Sequence, residues 1–139
     1  VSTIAVAPLS TAEAESLIAG ATRAAAAAEV PVSVAVLDVS GQLLAFRRDD
    51  QARLISGETS RAKAYTSLQL NAPTADLAEA VQPGGPLHSL PTALDRPLLF
   101  VGGGLPVHRD GQLIGAIGVG GGTPDQDHSF ATAAIAARG

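Results

Sequence analysis

At 139 residues the chain fits one compact domain, and a composition 46% hydrophobic and 16% charged supplies apolar material for a core that disordered chains lack. A formal charge of -4 and the absence of cysteine remove attraction to a polyanion, disulfides, thiolate catalysis and cysteine-ligated zinc or iron–sulfur centres. Nucleic-acid binding is therefore not expected, and no apolar run approaches the roughly 20 residues that cross a bilayer.

The first element is a helix. Ser10, followed three residues later by Glu13, forms a capping-box signal, with Leu9 placed to staple the first turn. Ala14, Leu17, Ile18, Ala21 and Ala25 recur at helical spacing, and Pro31 is the expected stop. Val32 to Asp38 is β-branched and reads as a strand, turned by VSGQ into a second strand, LLAFRR. Ser56 to Leu70 reads as a second helix, with Ala64 and Leu68 on one face. TADLAEAV follows as a short helix capped by Thr74, and QPGGPLHSLPTALDRP as an ordered loop punctuated by proline and glycine.

LLFVGG, Leu98 to Gly103, is expected to form a strand before a second hairpin, LPVHRDGQLIGAIGV, whose Asp110-Gly111 pair is a strong turn signal. The final helix has a complete start: Thr123 to cap, Pro124 at the first position, and Gln126 to close the box. Helix, strand pair, two helices, about three strands and a helix make an α+β fold, with a mostly antiparallel sheet of about five strands flanked by helices. The repeated strand–helix units of a doubly wound nucleotide-binding domain are missing, and the whole of residues 1–139 reads as a single domain. A chain without methionine reads as a processed form and the cytoplasm as its default location; a removed secretion signal would leave no trace.

VAVLDVSGQLLAFRRDDQARLISGETSRAKAYTS, followed by GGGLPVHRDGQLIGAIGVGGGTPDQDHSFATAA, resembles the GlcG/HbpS haem-degrading family, also seen as the C-terminal domain of PduO-like proteins. The resemblance spans nearly the entire chain. It implies an antiparallel sheet flanked by helices, profilin-like in arrangement, a homo-oligomer, and haem or a related tetrapyrrole as ligand. Lys63-Ala64, Gly103-Gly104, Asp110-Gly111, Gly115, Gly118 and the acidic helix start match its pattern. Gly120 and Gln51 depart from it, standing where a serine and a small residue are usual.

The glycine run Gly120-Gly121-Gly122 either shapes a tight turn or offers backbone donors to an oxyanion beside the last helix. Asp125, Asp127 and His128 either cap and solvate that helix start or supply acid–base chemistry, with Asp125 and His128, three apart, able to share a face. His88, His108 and His128 are the candidate haem-iron ligands, because methionine and cysteine are absent. Their separation in sequence gives no reason for them to converge. Lys63, with Arg47 and Tyr65, is a candidate for holding a carboxylated ligand, salt-paired surface positions being the alternative. Two functions fit these residues: a tetrapyrrole-binding protein with its pocket near the glycine turn and final helix start, or a cofactor-independent isomerase, cyclase or lyase acting on a small carbonyl- or carboxylate-containing metabolite. A structural accessory protein is the third possibility.

Overall fold

The computed structural model describes residues 5–138. Helix α1, Thr11–Ala27, opens on the expected capping box: the Ser10 hydroxyl accepts from the Glu13 amide at 3.1 Å and the Glu13 carboxylate from the Ser10 amide at 3.1 Å. Its apolar stripe is buried as the spacing predicts. The helix ends four residues before Pro31, where Glu29 takes a left-handed φ of 58° and the Val30 amide donates back to the Ala25 carbonyl.

Strands β1 (Ser33–Asp38) and β2 (Leu43–Arg48) form the first hairpin, and β3 (Gly104–Arg109) and β4 (Gln112–Gly120) the second. The two hairpins join through β1 and β4, giving one antiparallel sheet in the order β2-β1-β4-β3. The sheet has four strands rather than about five. Residues 98–103 form no strand: the Gly103 carbonyl accepts from the Val119 amide of β4 at 2.9 Å, but the Leu99 amide donates to the Thr66 hydroxyl at 2.8 Å and the Val101 carbonyl accepts from the Thr74 hydroxyl at 2.7 Å, so side chains take the backbone groups that a ladder would use. Apolarity there serves packing instead: Phe100 is buried, and Leu98 packs beside α2.

Helices α1 and α3 (Pro124–Ala136) cover one face of the sheet, through a core that includes Leu17, Phe130, Val34, Val36, Ile117 and Val119. Helix α2 (Ile55–Leu70) covers the other, against Leu37 and Ala116. Along β4 the residues facing α2 are small, Ala116, Gly118 and Gly120, and a Cβ on Gly118 would collide with the Ser60 carbonyl and lie 2.6 Å from the Ala64 amide nitrogen. Small residues at alternate positions therefore set how closely α2 approaches, and the helix backbone nearly touches the sheet.

The segment between α2 and β3 contains two single turns of 3-10 helix, Thr74–Leu77 and Leu90–Thr92. Thr74 does not cap a helix as expected. Its hydroxyl donates to the Val101 carbonyl at 2.7 Å and accepts from the Gly104 amide at 3.0 Å, tying the loop to the start of β3. These two long-range bonds satisfy buried backbone groups that a surface cap would leave unpaired.

Candidate functional site

The close contact of α2 with the sheet carries Lys63 into the interior. Its ammonium donates to the Val119 carbonyl at 3.0 Å and to Asp127 Oδ2 at 2.9 Å, with side-chain exposures of 5% for Lys63 and 1% for Asp127. The Gly122 amide donates to the second carboxylate oxygen, Oδ1, at 2.9 Å. Thr123 caps α3 and Pro124 begins it, so Asp127 falls one turn in, on the face shared with Phe130, Ala131 and Ala134. Burial pushes the Asp127 carboxyl above its ordinary range, opposed by the Lys63 hydrogen bond and charge and by the Gly122 amide.

Two cavities open along α2. One, about 260 Å³, sits at the glycine turn and is lined by Arg53, Ser56, Lys63, Val101, Gly121 and Asp127 among others. The other, about 410 Å³, lies farther along the helix and is lined by Arg61, Ala62, Tyr65, Arg96, Pro97 and Leu98 among others. Ile55, Thr59 and Leu99 belong to both. In the larger cleft the Arg96 guanidinium lies 3.8 Å from the centre of the Tyr65 ring, a cation–π arrangement that leaves guanidinium donors free to meet an acid group.

The expected residues divide between this region and the rest of the molecule. Lys63, Tyr65 and Gly121 line the cavities, and Gly122 does so with its amide already given to Asp127. Gly120 ends β4 opposite Ser33, facing α2; a Cβ there would collide with the Thr59 hydroxyl and lie 2.9 Å from the Ser56 carbonyl. Its role is helix-to-sheet packing, which also accounts for the lost serine. Asp125 is exposed on the outer side of α3, and the acid that meets Lys63 is Asp127. Arg47 lies beside α1, with Glu15, Ile18 and Arg23, away from both cavities.

The three histidines stay apart, and no group of metal-binding side chains forms among the described residues. His88 is exposed on the loop, its Nδ1 3.3 Å from the Gly85 carbonyl. His108 stands on β3 with Nε2 2.7 Å from Asn71 Oδ1. His128 is half-buried on α3, and its Nδ1 is buried without a hydrogen-bond partner. Sequence reasoning gave Asp127 no partner, although one signal for its burial was present: positions 127, 130, 131 and 134 carry the helical spacing of an inward face.

A four-stranded antiparallel sheet with helices on both faces and a cleft along one of them defines an α+β protein suited to holding a small ligand. The chain belongs to the haem-degrading HbpS-like family, whose model matches residues 9–136. Among solved structures it is similar to Klebsiella pneumoniae protein ORFY, with a TM-score of 0.92 and 34% identity over 99% of this chain and 94% of that one. It is also similar to PduOC, solved in complex with heme, with a TM-score of 0.89 and 36% identity over 94% of this chain and 95% of that one. The corrinoid adenosyltransferase PduO of Salmonella typhimurium is 38% identical over 109 residues, which are 78% of this chain and 32% of that protein. The chain thus matches about a third of that enzyme's length.

Proposed function

We propose that the chain binds haem or a related tetrapyrrole in the larger cleft along α2, next to the cavity at the glycine turn. The observation that carries this reading is the likeness to PduOC, a protein solved with heme, across nearly the full length of both chains. The cleft fits such a molecule in kind. Ile55, Leu98 and Leu99 offer apolar contact to a flat ring, while Arg61 and Arg96 are suited to pair with its carboxylates. No histidine lines the cleft; if a histidine were to hold the iron it would come from outside the wall, as His88 could from the loop that carries Arg96 and Pro97, and Tyr65 would be the candidate from the wall itself. Haem, when bound, supplies redox chemistry at iron, and the residues named here bind and orient it.

Assembly into a homo-oligomer belongs to the same proposal. Phe46, Leu54 and Ile55 stand exposed around the start of α2, an apolar grouping that a second copy would cover. The test is an absorbance titration of the purified protein with haem, repeated with Arg61→Ala/Arg96→Ala and with His88→Ala, His108→Ala, His128→Ala and Tyr65→Phe. A saturable spectrum, weakened about tenfold or more by losing the two charge-assisted contacts and changed in band position by one of the histidine variants or by Tyr65→Phe, is expected. A non-saturable signal, or one indifferent to all these substitutions, would overturn the reading.

A further inference from the structure

The smaller cavity has a different chemistry from the cleft beside it. At its floor lies an ion pair closed off from solvent, and packing alone gives little reason for one, since apolar pairs of similar volume often serve stability as well or better. An ammonium carries three donors. Two of those on Lys63 meet the Val119 carbonyl and Asp127; the third has no acceptor among the described residues, and Lys63 lines the cavity. Gly121, at a φ of 124°, turns the chain just before α3, and its amide likewise has no partner among the described residues.

The acceptors at the floor are in the opposite condition. Both Asp127 oxygens already receive protein donors, Oδ2 from Lys63 and Oδ1 from Gly122. Ser56 Oγ donates to the Arg53 carbonyl and lies 2.7 Å from Ser33 Oγ, and Thr59 Oγ1 donates to the Ser56 carbonyl and keeps its oxygen as an acceptor on the wall. What the cavity offers is therefore donors at its floor, and an exposed cation, Arg53, on its wall. Ile55, Leu99 and Val101 complete the lining with apolar surface. At about 260 Å³ the space lies below the range of roughly 300–1,000 Å³ typical of drug-sized ligands, which restricts it to short carbon skeletons.

We propose that this cavity is a binding site for small oxo acids, separate from the tetrapyrrole cleft, in which a carbonyl oxygen accepts from Lys63 and Gly121 and the carboxylate pairs with Arg53. A neutral carbonyl suits the floor better than a carboxylate, because a second anion there would lie against Asp127 and be repelled. The negative end is better placed toward Arg53, which is exposed and has no carboxylate partner among the described residues. The site extends beyond a helix start: its central donor is a buried lysine delivered from α2, on the opposite side of the sheet from α3.

The test is NMR titration of the full chain, without haem, with 2-oxobutyrate and with butyrate, following the Gly121 and Gly122 amides. Saturable shifts with 2-oxobutyrate, at least tenfold weaker binding of butyrate, and at least tenfold loss in Arg53→Ala are expected. Val101→Phe, which fills the cavity from its wall, should abolish binding while circular dichroism reports an intact fold. Equal binding of the two acids, no saturable shift, or indifference to Arg53→Ala in a folded protein would overturn the proposal. Haem titration of Arg53→Ala separates the two sites: the oxo-acid site predicts unchanged haem binding, and a failure of haem binding in every protein would leave the 2-oxobutyrate result standing on its own.

Discussion

Lys63 on α2 and Asp127 on α3 meet at 2.9 Å with both side chains closed off from solvent, joining helices that lie on opposite faces of the sheet. The contact passes where β4 gives way to the glycine turn, since the same ammonium holds the Val119 carbonyl and the same carboxylate holds the Gly122 amide. One ion pair therefore fixes both the turn and the floor of the smaller cavity.

Removing one member should be worse than removing both. Lys63→Met leaves a buried carboxylate without its cation and is expected to lower stability by about 3–5 kcal/mol. The double variant Lys63→Met/Asp127→Leu should recover a substantial part of that loss. Denaturant unfolding of the wild type, both single variants and the double variant measures the coupling.

Acid stability should carry two opposed contributions. The Arg109 hydrogen bond, helped by the Ser10 amide, holds Glu13 down from 4.5 to about 2, so its contribution is complete above 4.5 and is lost as pH falls toward 2. Asp127 is raised above 3.8 by burial; the folded state then binds the extra proton between 3.8 and the raised value, and stability declines as pH rises through that window. Urea unfolding against pH should show a flatter acid limb in Glu13→Gln and a steeper one just above pH 3.8 in Asp127→Asn.

The glycines of β4 and of its hairpin should respond differently. Gly118→Ala drives a Cβ into the backbone of α2, an overpacking expected to cost about 1–3 kcal/mol or more and to displace the helix that walls both cavities. Gly111, with φ 78° and open space around it, should lose only the roughly 1–2 kcal/mol of a left-handed residue when changed to alanine. Thermal unfolding compares the two, and ligand titration should be disturbed only by the first.

Thr74→Val keeps the shape of the side chain and removes its hydroxyl. The Val101 carbonyl and Gly104 amide would then lose their shared partner, at about 1–3 kcal/mol for each group left buried and unpaired. Hydrogen exchange should rise at Gly104 first, before any change at the centre of α1.

The parts of this fold that local chemistry dictates were legible. The capping boxes at Ser10 and Thr123, the Asp110-Gly111 turn and the apolar stripe of α1 all lie within a few residues of their partners. What depended on distant contacts was not. Thr74 looked like a cap because its true partners lie 27 and 30 residues away. Leu98 to Gly103 looked like a strand because apolarity does not reveal that the Thr66 and Thr74 hydroxyls take its Leu99 amide and Val101 carbonyl. Asp125 drew attention through its spacing to His128, whereas burial selected Asp127. Gly120 suggested a turn donor, and its function as a close-packing position depends on α2, which lies more than fifty residues earlier in the chain.

The proposal of tetrapyrrole binding is tested most directly by locating bound haem on the folded protein. Added ferric haem should broaden the amide signals of residues 55–65 and 96–99 through its paramagnetic iron, in proportion to occupancy, and leave those around Ala19 and Arg47 sharp. Broadening centred on the α1 face instead, or spread evenly over the surface without saturation, would contradict it.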